Sequence, residues 1–200
     1  MSTTRSSKTI KMVELALLIA IILLMAFTPI GYIRTGALSI TLIVIPVAVG
    51  AVILGPAAGA VLGAVFGITS FIQCFGMEPF GTALFSVGPV RTFIVCMVPR
   101  ILMGLCAGLI TRAFTKVQAT KKIAVFIGSL SAAVLNTVFF MTTLIALFQG
   151  YLSENFGLQM SKVFAFVAAF VGINGVIEAI VACVVAGAVA KALQLALKNA

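Results

Sequence analysis

Residues 15–33 read LALLIAIILLMAFTPIGYI and contain no charged side chain. An apolar helix of about 20 residues is long enough to cross the hydrocarbon core of a bilayer. Other uncharged runs are longer: 43 residues separate Arg34 from Glu78, and 31 separate Lys122 from Glu154. Over the whole chain 62% of residues are hydrophobic and 8% are charged, whereas about 25% are charged in a soluble domain. The sequence therefore predicts an integral membrane protein.

The uncharged runs divide into six helices, so we expect an all-α transmembrane bundle that forms one membrane domain over residues 1–200. The run between Arg34 and Glu78 is long enough for two crossings, and Gly55-Pro56 is the natural break between them. The helices are predicted at about 12–27, 38–54, 57–75, 89–112, 122–149 and 161–190.

The basic residues indicate how this bundle is oriented. Six crossings place both termini on one side, and nine basic residues would lie on that side. The positive-inside rule then predicts that both termini are cytoplasmic, and Tyr32 and Tyr151 fall at the outer boundaries, where aromatic anchors are common. The net charge of +9 is thus explained by topology and by anionic lipid headgroups rather than by nucleic acid. The nine basic residues are Arg5, Lys8, Lys11, Arg112, Lys116, Lys121, Lys122, Lys191 and Lys198.

Several classes of chemistry are excluded by residues that the sequence lacks. All four acidic residues are Glu, and there is no Asp, His or Trp. Ser-His-Asp triads and histidine metal sites therefore cannot be built, and we expect neither an enzyme nor a metal or cofactor site. No Walker A motif is present, so any ATP would be hydrolysed by another subunit. The four cysteines form no CxxC pair and are interpreted as reduced packing residues.

Three ionisable residues fall inside predicted membrane segments, where they indicate a polar site or a buried pair. Arg100 and Glu178 have similar predicted depths, so we interpret them as a structural ion pair between two helices. Arg91 lies about two turns nearer the outer face, where its guanidinium could bind an anionic group from outside. The alternative for Arg91 is a side chain that snorkels to the headgroups.

Two asparagines also lie in the middle of predicted helices. An amide in hydrocarbon must find a partner, and Asn174 shares a helix face with Glu178 four residues later. We therefore expect Asn174 and Glu178, together with Asn136 and Arg91, to line a polar pocket that Arg100 could also join. Ordinary interhelical hydrogen bonds would explain the amides equally well. The loops 28–37 and 76–88 could cap such a pocket, with Tyr32 and Phe80 as its walls, or could be plain connections.

The sequence resembles a known family, the substrate-binding S components of energy-coupling factor (ECF) vitamin transporters. Within this family it most closely resembles the pantothenate-type branch. The length, the six helices and the basic face fit this family. The motifs that carry the resemblance are Ala16-x-x-x-Ala20, Pro79-Phe80, Val98-Pro99-Arg100-Ile101-Leu102-Met103-Gly104, Leu135-Asn136-Thr137, and Asn174 with Glu178.

The resemblance implies a mechanism and a set of partners. Such a subunit captures a vitamin from outside, docks on a membrane coupling protein through small residues of its first helix, and depends on two cytoplasmic ATPase subunits. Ala16 and Ala20 would be the docking contacts. Pantothenate has a carboxylate, an amide and two hydroxyls, which suit Arg91, Asn136 and Asn174.

The sequence is also compatible with other functions. The chain could be an S component for another vitamin, such as riboflavin or folate. It could also be a secondary transporter that uses Glu178 as a proton carrier. A purely structural bundle would leave the arginine and the two asparagines unexplained.

Overall fold

The computed structural model of the chain describes residues 2–34, 39–118, 120 and 123–199. Inside these ranges it describes the backbone but not the side chains of residues 2–7, 30, 32–34, 39, 40, 160, 169, 170, 173, 174 and 194–199.

The described chain is built almost entirely of helices. A two-stranded antiparallel hairpin follows the first helix, with β1 at Tyr32–Arg34, β2 at Ser39–Thr41 and Ile33 opposite Ile40. A π-helical segment, Ala182–Ala186, joins the last two helices. The helices are α1 (Ser2–Ala26), α2 (Val44–Ile53), α3 (Pro56–Gln73), α4 (Pro79–Val87), α5 (Pro89–Lys116), α6 (Ala124–Phe156), α7 (Val163–Val181) and α8 (Gly187–Asn199).

Five segments among the described residues are long and apolar enough to cross a membrane. The helix α2 is apolar but has only 10 residues, which corresponds to about 15 Å along its axis. Many large apolar side chains on the other helices are exposed, as expected for surfaces that face lipid. The five segments are Lys8–Ala26, Pro56–Gln73, Pro89–Lys116, Ala124–Phe156 and Gly175–Leu193.

Several regions differ from the sequence prediction. The first helix begins at Ser2 rather than at about residue 12, and the helix expected at 161–190 is divided into α7, the π-helical segment and α8. The second helix was expected at about 38–54, but it begins at Val44 because residues 39–41 pair in the hairpin. The expected all-α class therefore needs this small correction. The loop 76–88 contains a helix, α4, which the sequence did not predict. Glu78 caps it by accepting from the Gly81 N–H, and Pro79 occupies its first turn.

Small residues bring α3 and α5 into close antiparallel contact. A Cβ on Gly59 would collide with the Gly104 backbone, and a Cβ on Gly63 would collide with the Arg100 carbonyl. At Gly67 it would come within 2.9 Å of the Cys96 carbonyl oxygen. Such close approach is possible only where no side chain intervenes, so this glycine ridge fixes the position of the α5 backbone at Arg100.

The helices alternate in direction, so the connections sort to two ends of the bundle. Antiparallel contacts join α3 to α5, Thr111 of α5 to Gly128 of α6, and Asn136 of α6 to Glu178 of α7. One end therefore carries the hairpin, α4 and the connection 157–162. The opposite end carries the start of α1, the end of α5, the start of α6 and the end of α8. Basic residues of the described chain near this end are Lys8, Lys11, Arg112, Lys116 and Lys191.

Two buried apolar clusters form the core. The first surrounds α2 and includes Phe66 and Met103, and the second lies near the hairpin end and includes Leu84, Val95 and Met141. A cavity lies where the two clusters meet: the second cluster contributes to its wall, and Arg100 lies over the ring of Phe66.

Candidate functional site

A partly open cavity of about 940 Å³, including the space at its mouth, lies at the hairpin end of the bundle. Binding sites for small molecules are mostly apolar, with a few polar groups that fix orientation. The polar lining residues are Thr41, Ser70, Gln73, Glu78, Thr92, Arg100, Asn136, Thr137 and Glu178. The other lining residues are Cys74, Phe80, Gly81, Leu84, Val95, Cys96, Phe140, Met141, Val171 and Gly175.

Arg100 is the cation of the cavity wall and is 9% exposed. Its Nη1 donates to the Val95 carbonyl at 2.6 Å, and its Nη2 lies 3.5 Å from the Ser70 hydroxyl. The guanidinium carbon lies 5.3 Å and 4.8 Å from the ring centres of Phe66 and Phe140, and such cation–π contacts hold the group in place. Its Nε is buried and has no hydrogen-bond partner within the described chain.

A buried guanidinium without a carboxylate partner is costly. The hydrogen-bond and ring contacts described for Arg100 are with a carbonyl, a hydroxyl and two aromatic rings. Glu78 and Glu178 line the same cavity, and the charge of Glu178 interacts with that of Arg100, but neither carboxylate is described in a direct hydrogen bond with the guanidinium. The group is therefore suited to an anionic ligand, because a guanidinium fork binds carboxylate or phosphate through parallel hydrogen bonds.

Asn136 and Glu178 form the second polar group of the cavity, and each is 8% exposed. Asn136 Nδ2 donates to Glu178 Oε1 at 3.2 Å, and the Thr41 backbone N–H donates to the same carboxylate. This bond fixes the amide so that Oδ1 of Asn136 points elsewhere, and Oδ1 has no partner among the described residues. A ligand hydroxyl or N–H could donate to it.

The ion pair predicted between Arg100 and Glu178 is not formed in the described structure. Both side chains line the cavity, but each uses its hydrogen bonds elsewhere, Arg100 with Val95 and Ser70 and Glu178 with Asn136. The space between the helices that carry them is part of the cavity. The two groups therefore act as separate polar elements of one site.

Arg91 does not line the cavity and is exposed. It is separated from Arg100 by nine positions in one helix, which places the two side chains about 180° apart around the axis. Of the two arginines of this helix, Arg100 is therefore the one that faces the cavity.

The other predicted site residues fall into two groups. Phe80 of α4 and Asn136 line the cavity as expected. Tyr32 lies in β1 and Asn174 in α7, and their side chains lie outside the described part of the chain. The neighbours of Asn174 in α7, Val171 and Gly175, line the cavity.

The predicted docking residues, Ala16 and Ala20, are exposed on α1. Large apolar side chains surround them and are exposed too, with Val13 at 63% and Leu17 at 61%. In the membrane-length apolar stretch of α1, 11% of the residues are buried. The helix therefore presents a broad apolar face with two small residues in it.

Several lining residues were missed by the sequence prediction. Gln73 is 7% exposed, and its Nε2 donates to the Ala26 carbonyl at 2.5 Å, which ties α3 to the end of α1. Thr92 and Cys96 lie on the cavity face of α5 with Arg100, at a spacing of four residues. That spacing was a usable signal, since i, i+4 residues share a helix face. No cluster of three metal-ligating side chains is found among the described residues.

Comparison with known proteins gives two matches that cover most of the chain. Residues 10–190 match a family model described as "ECF transporter, substrate-specific component". A curated relative, the Pantothenate transporter PanT of Leuconostoc mesenteroides subsp. mesenteroides, is 34% identical over 144 residues, which cover 66% of this chain and 67% of the relative. The chain therefore belongs to the family of ECF transporter substrate-specific components and is a multi-pass protein of the cell membrane.

Proposed function

We propose that this chain captures pantothenate from outside the cell and delivers it to an ATP-driven importer. The observation that carries the proposal is the presence, in one cavity, of a buried guanidinium Nε and a buried amide oxygen, neither of which has a described hydrogen-bond partner. The guanidinium can bind an anionic group, and the amide oxygen can accept a hydrogen bond. Pantothenate offers both a carboxylate and hydroxyl or amide donors.

The cavity suggests how the vitamin would be held. Its carboxylate would lie against Arg100, where Nε is free to donate. A hydroxyl or the amide N–H would donate to Oδ1 of Asn136. The apolar part of the molecule would lie against Phe80, Phe140 and Met141, which belong to the cavity wall. The name of the relative from Leuconostoc supports this choice of vitamin.

The charge distribution supports an outward-facing cavity. The cavity lies at the hairpin end of the bundle, whereas Lys8, Lys11, Arg112, Lys116 and Lys191 lie toward the opposite end. By the positive-inside rule the basic end faces the cytoplasm. The mouth of the cavity would then open to the outside, where the substrate is captured.

Family membership supplies the proposed partners. A membrane coupling protein would dock on the exposed face of α1 that contains Ala16 and Ala20, and two cytoplasmic ATPase subunits would supply energy. This chain has no Walker A motif, so the phosphate-binding loops would belong to those subunits.

Calorimetry on the purified chain in detergent tests the proposal. We expect pantothenate to bind tightly without ATP, and riboflavin and folate to bind far more weakly. The variant Arg100→Gln should raise the Kd for pantothenate by at least about tenfold, or about 1.4 kcal/mol. The matched control is Arg91→Gln on the same helix, which should leave the Kd unchanged because Arg91 lies outside the cavity.

Two results would contradict the proposal. If pantothenate does not bind and riboflavin or folate does, the chain serves another vitamin. If both arginine variants weaken binding equally, the effect is general electrostatic attraction rather than contact with Arg100.

A second candidate function rests on Glu178, which is nine-tenths buried in the cavity wall. A secondary transporter could use this carboxylate as a proton carrier. In that case vesicles that contain this chain alone would take up substrate along a pH gradient, whereas an S component alone would bind substrate without accumulating it.

A further inference from the structure

Two cysteines meet in the wall of the cavity. Cys74 follows the last residue of α3 and Cys96 lies in α5, and their sulfur atoms are 3.9 Å apart. Both are free thiols, 5% exposed, and both line the cavity. Cys106 and Cys183 are also free thiols, but they are not among the residues of this wall.

The Cys74 thiol lies against α4. A Cβ on Gly81 would come within 2.7 Å of the Cys74 sulfur, so α4 packs against this thiol through a residue that has no side chain. All of α4 lies in the chain segment between Cys74 and Cys96, and three of its residues, Phe80, Gly81 and Leu84, line the cavity. A covalent bond between the cysteines would therefore close a loop that contains one wall of the cavity.

We propose that Cys74 and Cys96 are a reversible oxidation site whose disulfide fixes α4 over the cavity. A disulfide has a sulfur–sulfur distance of about 2.05 Å. The bond therefore forms when the two side chains rotate and the end of α3 moves slightly toward α5. Cross-linking a segment removes conformational freedom from its opened states. The disulfide therefore restrains the opening of α4, and substrate enters and leaves the cavity more slowly.

The oxidant is a small-molecule disulfide that reaches the thiols through the mouth of the cavity. One cysteine thiolate attacks a sulfur of this disulfide, forms a mixed disulfide and releases one thiol. The second cysteine thiolate attacks the protein sulfur of that intermediate and releases the second thiol. The protein loses two electrons and two protons, which leave with the two released thiols, and an added dithiol reverses the reaction.

The oxidation site is joined to the proposed ligand site through Ser70. The Cys74 thiol donates to the Ser70 carbonyl at 3.3 Å, and the Ser70 hydroxyl lies 3.5 Å from Nη2 of Arg100. Cys96 also lies one helical turn before Arg100. A disulfide removes the Cys74 donor, so it changes the surroundings of the guanidinium as well as the freedom of α4.

The test uses the full chain in detergent, treated with hydroxyethyl disulfide. We expect mass spectrometry to find one cross-linked peptide pair, Cys74 with Cys96, which dithiothreitol reverses. Amide hydrogen exchange in residues 79–87 should slow by about tenfold or more in the cross-linked protein, because local opening of α4 is restrained. The variants Cys74→Ser and Cys96→Ser should show neither effect, whereas Cys106→Ser should show both.

The effect on the substrate rests on the proposed function and is measured separately. The reduced chain is first shown to bind pantothenate, and oxidation should then lower both the association and the dissociation rate several-fold. If the reduced chain does not bind pantothenate, the proposed function fails. The cross-link and the hydrogen exchange of α4 still test whether Cys74 and Cys96 form the oxidation site.

The inference is overturned if the two cysteines are recovered only as separate mixed disulfides or as free thiols. It is also overturned if the cross-link forms but hydrogen exchange in α4 is unchanged.

Discussion

Arg91 and Arg100 show how much a single residue in this sequence reveals about its role. Both are arginines in an apolar helix. Depth along the helix favoured Arg91 as the ligand contact, but rotation around the axis decides which side chain faces the interior. Arg100 shares its face with Thr92 and Cys96 and lines the cavity, whereas Arg91 is exposed.

Asn136 and Glu178 could be predicted as polar groups but not as partners. Forty-two positions separate them in the chain, and no local rule predicts a contact of that range. The hydrogen bond of 3.2 Å between them depends on how α6 packs against α7. That packing also explains why Glu178 does not pair with Arg100.

The variant Glu178→Gln tests the role of this carboxylate. The new amide oxygen can still accept from Asn136 Nδ2, so the local structure should persist. Removal of a negative charge from the cavity should also weaken repulsion of an anionic ligand. We expect calorimetry to give a Kd for pantothenate equal to or below that of the parent chain. The control Glu178→Ala, which leaves Nδ2 without its acceptor, should bind more weakly.

A large rise of the Kd in Glu178→Gln would instead show that the carboxylate itself contacts the ligand. Binding that persists while pH-driven uptake by the chain alone disappears would favour the secondary transporter.

Among the elements, α4 illustrates a local signal that was present in the sequence. Glu78 and Pro79 match a helix start, since an acidic cap and a proline in the first turn are both favoured there, and Gly88-Pro89 marks its end. The interpretation of residues 76–88 as a loop was therefore wrong for α4. The hairpin offered no comparable signal, and it shortens α2 to 10 residues.

The interface between α3 and α5 gives a prediction at the level of elements. A methyl group on Gly63 would collide with the backbone of Arg100, so Gly63→Ala should push α5 away from α3. Overpacking of this kind costs about 1–3 kcal/mol. We expect a lower Tm in detergent and weaker pantothenate binding, because the guanidinium would shift relative to Asn136.

Gly150→Ala is the matched control for this change. Gly150 also lies in a helix, α6, but a Cβ there would meet nothing within 4 Å. Alanine is a better helix former than glycine by about 1 kcal/mol, so the control should keep or raise the Tm. Equal Tm values for the two variants would show that α3 and α5 tolerate separation and that the glycine ridge does not fix Arg100.

At the level of the whole molecule, the membrane-spanning character follows directly from the sequence, because uncharged apolar runs of this length are characteristic of helices that cross a bilayer. The cavity does not follow in the same way. Its wall combines residues from β2, α3, α4, α5, α6 and α7, and their convergence depends on helix rotations that hydropathy does not encode. The sequence thus identified Asn136, Phe80 and Glu178 as candidates, but not the thiols or Gln73 beside them.

The exposed face of α1 gives the prediction that concerns the complete transporter. Ala16 is exposed and does not line the cavity, so a tryptophan there should not disturb the ligand but should block close packing by a partner helix. We expect Ala16→Trp to abolish ATP-dependent uptake in vesicles that also contain the coupling protein and both ATPases, while the Kd for pantothenate stays unchanged. Val134→Trp, at an exposed position on α6, is the matched control and should retain uptake. Loss of binding together with uptake would mean that Ala16 stabilises the fold, and uptake retained by both variants would place the docking surface on another helix.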